Sequence, residues 1–241
     1  MRYLLQIQNM RLIYIFILIS LSVFSQENSL KIKIDTIITN NPNPKERNFK
    51  VNYQIRNLTH DTISFFLNTK SFIPNAVSSM SLSPFYKIYQ EDETLDIDGV
   101  FGNRNDENWN EKKFIENIYS KSKIETDSIF SIYKKNGGKN TDKWWVVKNQ
   151  RLLETMVTML PNETKYFSTI LIWDKKRYFF NDPLEFYIDE NSNHTFQLTI
   201  HLMKEEFKER LSEKEFISIL ANKNFIKGVF TSNKMDINFR E

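Results

Sequence analysis

The sequence predicts a mainly β protein, an antiparallel β-sandwich with a helical insertion and a short helix before the last strand. Three observations lead to this prediction. Short segments that alternate apolar and polar residues recur along the chain, and turn-forming residues separate them. A stretch with helical spacing interrupts them at about residues 103–140. Because the strand-like segments follow one another without regular intervening helices, we expect antiparallel rather than parallel sheets.

An apolar run at the start of the chain has the features of a secretory signal peptide. The run covers residues 12–24, which is 13 residues, and it follows the basic residues Arg2 and Arg11. A membrane-spanning helix needs about 20 apolar residues, whereas the apolar part of a signal peptide has about 7–15. We therefore expect a cleaved signal peptide, and an uncleaved anchor is the alternative that stays open.

The expected cleavage site lies between Ser25 and Gln26, because Val23-Phe24-Ser25 places small or modest residues at the −3 and −1 positions of the cut. Met10 is an alternative start that would give a more compact signal. Residues 1–25 are then the signal peptide and residues 26–241 one domain, exported to the periplasm, the cell envelope or the medium.

Composition narrows the class of the exported protein. The chain has no cysteine, so disulfides cannot stabilise it and a core of ordinary size must do so. Loss of Arg2 and Arg11 with the signal peptide lowers the formal net charge from +3 to +1. A nucleic-acid-binding protein normally carries a strong basic excess, so we expect no nucleic-acid partner.

The first half of the mature chain alternates like half-buried strands. Leu30, Ile32 and Ile34 alternate with polar residues, which places the two sets on opposite faces of a sheet. The prolines in 40–46 exclude that segment from a central strand, and Asp98-Gly99 is a favourable hairpin turn. The predicted strands are LKIKIDTII (30–38), FKVNYQIRNL (49–58), TISFFLN (62–68), FYKIYQ (85–90) and TLDIDGVF (94–101).

Residues 103–140 predict a helical or irregular insertion packed on the sheets. Two stretches, starting near Phe114 and Ile129, place aromatic and aliphatic residues at helical spacing. Asn136-Gly137 has the residue types that end a helix.

Strand patterns return after the insertion. Pro161-Asn162 predicts a turn, and Ser212 with Glu215 matches the capping box that begins a helix. A last strand follows Gly228. The predicted strands are KWWVVK (143–148), RLLETMVTML (151–160), TKYFSTILIW (164–173), LEFYID (184–189), HTFQLTIHLM (194–203) and VFTSNKMDINF (229–239).

This succession of strands resembles that of secreted immunoglobulin-like (Ig-like) β-sandwiches. The segment VTMLPNETKYF (157–167) is similar to the strand–turn–strand segment common in such domains. The resemblance covers most of the mature chain, but the Cys…Trp…Cys signature of antibody-type domains is absent. It implies a scaffold that usually binds a partner, although the fold does not specify which one.

The residues offer little for catalysis or metal binding. His194 and His201 lie seven residues apart on one predicted strand, so they face opposite sides. The acidic stretch EDETLDIDG (91–99) has no glycine where an EF-hand loop requires it, and we interpret it as solvated hairpin acids; an irregular calcium site stays open. Nucleophile-elbow and zinc-protease motifs are also missing. We predict no catalytic residue, no metal and no cofactor.

The loop DKKRYFFNDP (174–183) is the main candidate for binding, because basic and aromatic side chains are common anchors at interfaces. Alternatively, its aromatics pack beneath the loop while its charges keep a sheet edge soluble. The paired tryptophans of KWWVVK would face opposite sides of a strand, leaving one ring exposed to a carbohydrate or protein. The candidate binding residues are Lys176, Arg177, Tyr178 and Phe179, with Trp144 and Trp145 as weaker candidates.

Three N-x-[ST] sequences, at Asn57, Asn162 and Asn193, lie in predicted turns. They would be glycan acceptors only in a eukaryotic secretory pathway.

The sequence favours an exported, non-enzymatic binding module of the cell envelope with a protein or carbohydrate partner. An inhibitor or immunity-type protein that blocks a partner enzyme is the first alternative. A hydrolase with dispersed carboxylates is the second, because the spatial separation of Asp and Glu residues cannot be read from the sequence.

Overall fold

The structure is a computed structural model that describes most of the chain after residue 28. The predicted signal peptide and its cleavage site between Ser25 and Gln26 lie outside the described residues. The described residues are 29–43, 46–74, 81–95, 111–139, 141–174, 189 and 191–240.

The described chain is mainly β, and its sheets are largely antiparallel. No helix among these residues has the length and apolar character to cross a membrane. The strands are β1 (Leu30–Asn43), β2 (Glu46–Asn57), β3 (Ile63–Phe66), β4 (Ile73–Pro74), β5 (Phe85–Gln90), β6 (Glu93–Leu95), β7 (Met156–Met159), β8 (Thr164–Asp174), β9 (His194–Leu202), β10 (Gly228–Thr231) and β11 (Met235–Ile237). The helices are α1 (Glu111–Lys135), α2 (Lys143–Leu153), a 3-10 helix (Glu205–Arg210) and α3 (Glu213–Ala221).

The first sheet has the order β1-β2-β8 and is antiparallel throughout. The predicted alternation decides which side chains it buries: Ile32 and Ile34 of β1 and Val51 and Tyr53 of β2 are 5% exposed or less. The proline-containing segment continues β1 to Asn43. Because β1 is an edge strand, it can hold a proline that a central strand could not.

The second sheet has the order β10-β9-β5-β4, with β6 paired to β5 and β11 paired to β9. The pair β4–β5 is parallel, and the other pairs in this sheet are antiparallel. β10 and β11 pair with residues 199–202 and 194–196 of β9, so they follow each other along one edge of that strand. The predicted last strand is therefore present but interrupted between Ser232 and Lys234.

The buried faces of these two sheets share one hydrophobic core. Aromatic contacts connect them: the ring centroids of Tyr53 and Phe72 lie 5.4 Å apart, and those of Phe72 and Phe196 lie 6.3 Å apart. A second contact joins Phe49 to Phe239 at 5.1 Å. Such tilted aromatic pairs add roughly 0.5–1.5 kcal/mol to the burial of their surface. The short pair β3–β7 forms a third sheet.

A smaller apolar cluster lies where α2, the 3-10 helix and α3 meet. Phe66 of β3 contacts Phe207 of the 3-10 helix at 5.3 Å and Phe225 at 5.0 Å between ring centroids. Leu152 of α2 and Ile219 of α3 belong to the same cluster, together with Met203 and Leu211. The predicted helix before the last strand is confirmed as α3, and its packing partners are these buried aromatics.

The described part of the predicted insertion, residues 111–139, is mainly helical, and the prediction for this region and the segment after it differs from the structure in two points. Residues 111–135 form one helix rather than two, and it ends as predicted at Asn136-Gly137, where Gly137 has a φ of 81°. The segment KWWVVK, predicted as a strand, begins a second helix instead. The Asp142 carboxylate accepts a hydrogen bond from the Trp145 backbone N–H at 2.7 Å, which caps this helix and overrides the β preference of Trp and Val.

The predicted strand 151–160 is shorter in the structure. Residues 151–153 end α2, and only Met156–Met159 pair as a strand. Pro161-Asn162 then makes the predicted turn, in which Asn162 has a φ of 59° and the Glu163 N–H donates to the carbonyl oxygen of Leu160 at 3.1 Å. The hairpin between β5 and β6 turns at Glu91-Asp92, a turn that was not predicted. The predicted hairpin turn at Asp98-Gly99 lies outside the described residues.

Candidate binding surface

The solvent side of the first sheet carries several basic side chains, because the side chains of β1, β2 and β8 alternate between this side and the core. We call it the outer sheet face. In β2, each buried residue is followed by one that points outward, and the register of both ladders aligns these outward residues across the three strands. The outer sheet face consists of Lys31, Lys33, Asp35, Thr36, Ile38, Lys50, Asn52, Gln54, Arg56, Tyr166, Ser168 and Ile170.

This face is strongly basic. It carries the four cations Lys31, Lys33, Lys50 and Arg56, and Asp35 is the one carboxylate among its residues. In the described part of the chain, Lys31, Lys50 and Arg56 form no ion pair. Their charges are therefore available to a ligand, in a protein whose formal net charge is only +3.

Asp35 offsets part of this charge from within the face. Its carboxylate accepts hydrogen bonds from Lys33 Nζ at 3.0 Å and from Gln54 Nε2 at 2.6 Å. Burial acts to raise the pKa of Asp35, but the bonds from Lys33 and Gln54 outweigh it and hold the pKa below its usual value. Asp35 is thus ionised at neutral pH and fixes Lys33 and Gln54 in place.

Apolar and aromatic side chains lie among the cations. Tyr166 is 74% exposed, Ile170 62% and Ile38 51%. Ile38 and Ile170 flank Lys50 in one cross-strand row, and Tyr166 lies in the row of Gln54 and Lys33. Singly exposed apolar residues are ordinary on protein surfaces, but three of them on the same sheet face as four cations offer both contact area and charge.

The candidate residues from the sequence are placed elsewhere or not described. Lys176, Arg177, Tyr178 and Phe179 lie outside the described residues. Trp144 and Trp145 lie on α2 rather than on a strand, where Trp144 is 58% exposed and Trp145 is half-buried. Their predicted arrangement on opposite faces of a strand is therefore wrong.

The outer sheet face was not predicted from the sequence, although the sequence contains part of the pattern that produces it. The alternation in LKIKIDTII already places Lys31 and Lys33 away from the core. The missing information was that β2 and β8 lie beside β1 in a register that aligns Lys50, Arg56 and Tyr166 with them.

The histidines show no grouping of metal-binding type. His194 is buried against Phe239, at 5.0 Å between ring centroids, and His201 points to the opposite side of β9. Burial lowers the pKa of His194 and so favours the neutral ring; the Arg240 charge acts in the same direction, and Asp189 opposes it. Among the described residues, no three His, Asp or Glu side chains lie close enough to hold a metal ion. The acidic residues from Asp96 to Asp98 lie outside that part of the chain.

Comparisons with known proteins assign no family. No family model and no curated protein matches the chain. A solved structure, that of a candidate lipoprotein from Bacillus subtilis subsp. subtilis str. 168, is similar at 11% sequence identity and a TM-score of 0.28. The match covers 88% of this chain and 38% of the lipoprotein chain, so this chain spans less than half of the length of the lipoprotein. At this TM-score, the likeness carries neither a fold nor a function to this chain.

Proposed function

We propose that the protein is an exported, non-enzymatic binding module of the cell envelope, built on an Ig-like β-sandwich, and that its outer sheet face binds an acidic polysaccharide. The observation that carries this proposal is that four cations and an exposed tyrosine lie on one face of the first sheet. The signal-peptide pattern of residues 1–25 is what supports export.

The spacing of the cations favours a polymer with repeated negative charges. Successive outward residues of a strand are two positions apart in the sequence, about 6.5–7 Å, and neighbouring strands lie about 4.8 Å apart. Lys31 and Arg56 lie directly opposite each other, and Lys33 follows two residues along β1. Lys50 lies six residues from Arg56, about 20 Å along β2, so the cations are spread along the sheet and do not form a pocket for one ion. An extended anionic chain can contact several of them at once.

Each contact on such an exposed surface is weak, and the sum provides the affinity. A single exposed ion pair contributes about 0.2–1 kcal/mol and is screened by salt. Tyr166 adds a planar ring that can stack on a sugar, with its hydroxyl available to donate a hydrogen bond. We therefore expect binding that depends strongly on ionic strength and moderately on Tyr166.

Charge reversal on the outer sheet face tests this proposal. The double variant Lys50→Glu/Arg56→Glu replaces two attractions by two repulsions, and we expect its affinity for dextran sulfate to fall roughly tenfold or more at low salt. The measurement is the salt concentration at which the protein elutes from immobilised dextran sulfate, together with the Kd in solution.

A matched control distinguishes an effect of the outer sheet face from a general effect of net charge. The double variant Lys208→Glu/Lys214→Glu changes the net charge by the same amount at two exposed positions in the 3-10 helix and α3. We expect it to elute close to the unmodified protein. Equal losses of affinity in the two double variants would show that the outer sheet face is not the binding site.

A further inference from the structure

The outer edge of β8 is long and uninterrupted. β8 lies at one end of the first sheet, and β2 is the one described strand that pairs with it. Its 11 residues make it about twice as long as a typical strand. All pairs from Glu46–Asp174 to Arg56–Thr164 follow one register without a shift. Among the described elements, β8 packs extensively on β2 alone, so its other edge is open.

The backbone along this edge has free hydrogen-bonding groups. The Asn57 N–H donates to the carbonyl oxygen of Glu163 at 2.9 Å, so the backbone of Glu163 faces β2. Because this direction alternates along an antiparallel strand, the even-numbered residues of β8 direct their N–H and C=O groups to the open edge. In the part of the chain that the structure describes, these groups have no hydrogen-bond partner in Thr164, Tyr166, Ser168, Ile170 and Ile172.

The opposite edge of the same sheet is protected against pairing with another strand. β1 contains Pro42 and two irregularities of register. The side-chain amide of Asn233 also occupies both backbone groups of Ile34: its Oδ1 accepts from the N–H at 2.8 Å, and its Nδ2 donates to the carbonyl oxygen at 3.3 Å. Prolines, bulges and covering groups are the means by which proteins prevent association between strand edges.

β8 has none of these features between Thr164 and Ile172. This stretch has no proline and no bulge, and its one charged side chain, Lys165, lies 3.9 Å from the Glu163 carboxylate of the same copy. Its exposed side chains include Tyr166 and Ile170, which are 74% and 62% exposed. A long edge with open backbone groups and little charge is suited to pairing with another strand.

We propose that two copies of the protein associate through this edge, with β8 antiparallel to β8 of the partner. The edge is self-complementary about Ser168, the middle of the five open residues. A two-fold axis at Ser168 pairs every open residue with an open residue of the second copy. It also places Tyr166 opposite Ile170 of the partner subunit, an aromatic and a β-branched side chain that stabilise a sheet as a cross-strand pair.

This association is independent of polysaccharide binding, because it uses the backbone edge of β8. The axis is perpendicular to the sheet, so the outer sheet faces of both copies would lie on the same side of one six-stranded sheet. The two proposals fail separately: a monomer can still bind dextran sulfate, and a dimer can fail to bind it.

Sedimentation equilibrium of the exported protein tests the association. A strand edge is a small interface, so we expect a dimer with a Kd of roughly 1–100 μM. The variant Ser168→Lys places two lysines opposite each other at the axis, with their Cα atoms about 5.5 Å apart. Like charges directly opposite destabilise a strand pair, so we expect the Kd of the dimer to rise roughly tenfold or more.

Thr36→Lys is the matched control. Thr36 and Ser168 are both exposed hydroxyl residues, and both lie opposite Asn52 in one cross-strand row, at the two ends of that row. The two variants therefore add the same charge to the same face of the sheet. We expect Thr36→Lys to dimerise like the unmodified protein, because β1 does not take part in the contact.

Cross-linking tests the position of the axis. The chain has no cysteine, so a single introduced cysteine reports on one contact. Two copies of Ser168→Cys would have Cα atoms about 5.5 Å apart, within the range of a disulfide, and should form a covalent dimer on mild oxidation. Thr36→Cys should stay monomeric under the same conditions.

Hydrogen exchange adds a measurement on the unmodified protein. We expect the amides of Tyr166, Ser168 and Ile170 to exchange roughly tenfold more slowly or better at high protein concentration than at low concentration, since each becomes bonded in the dimer.

Three results would overturn the inference. A protein that is monomeric at millimolar concentration would exclude the association. Slow exchange of the same amides in the monomer would show that the edge is already covered within one copy. Equal weakening of the dimer by Ser168→Lys and Thr36→Lys, or equal cross-linking of the two cysteine variants, would place the interface elsewhere.

Discussion

The side-chain amide of Asn57 holds three parts of the backbone together at one end of the first sheet. It is fully buried. Its Nδ2 donates to the carbonyl oxygens of Asp61 at 2.8 Å and Leu160 at 2.9 Å, and its Oδ1 accepts from the backbone N–H and hydroxyl of Thr59 at 2.9 and 2.8 Å. A buried amide with every hydrogen bond satisfied is costly to remove, because its partners are left unpaired.

We therefore expect Asn57→Ala to lower the free energy of unfolding by at least about 2 kcal/mol, as measured by urea denaturation. Asn162→Gly is the control: Asn162 is exposed with a φ of 59°, a conformation that glycine adopts readily, so stability should change by less than about 0.5 kcal/mol. Asn57→Ala as stable as this control would contradict the role given to the amide.

Asn57 also shows what an N-x-[ST] sequence cannot reveal alone. The sequence places Asn57, Asn162 and Asn193 in turns. In the structure Asn162 and Asn193 are exposed, but Asn57 ends β2 with its side chain buried. The side-chain hydrogen bonds of Asn57 stabilise the fold, and its buried amide is not accessible to a glycan in the folded chain.

At the scale of elements, the capping box of α3 is a sequence signal that the structure confirms. Ser212 Oγ accepts a hydrogen bond from the Glu215 N–H at 3.3 Å, and Glu215 Oε2 accepts from the Ser212 N–H at 2.8 Å. Asn149 of α2 also donates to Glu215 at 3.1 Å, which connects the cap to the neighbouring helix.

The Ser212→Ala variant removes this cap, and we expect it to cost about 0.5–2 kcal/mol in thermal or urea unfolding. Ser218→Ala, at an exposed position within the same helix, should be neutral or slightly stabilising because alanine has the higher helix propensity. Similar losses in both variants would mean that the effect comes from general disturbance of α3 and not from its cap.

The segment 143–153 shows where element prediction failed. Two tryptophans and two valines in succession have high β propensity, and this suggested a strand. The structure buries Val146, Val147 and Leu152 on a helix whose first turn is capped by Asp142. The aspartate before the apolar run and the helix-forming residues after it were the available signals. In the structure this helix packs against α1 and, through Leu152, against the smaller apolar cluster.

At the scale of the whole molecule, alternation predicted most strands and which of their residues are buried. It could not predict the order of strands in the sheets, because that order depends on pairings between residues far apart in the chain. Lys31 lies opposite Arg56 because the consecutive strands β1 and β2 pair. Tyr166 lies on the same face only because β8, which is distant in the sequence, pairs with β2. The outer sheet face is a product of such pairings, so sequence patterns alone did not identify it.

The most direct test of the proposed function is an NMR titration of the labelled protein with short dextran sulfate oligomers. The account predicts saturable chemical-shift changes at the amides of Lys50, Arg56 and Tyr166, with an affinity that falls steeply as salt is raised. Changes spread evenly over exposed lysines, or concentrated on α2 around Trp144, would contradict the assignment of the outer sheet face as the binding surface.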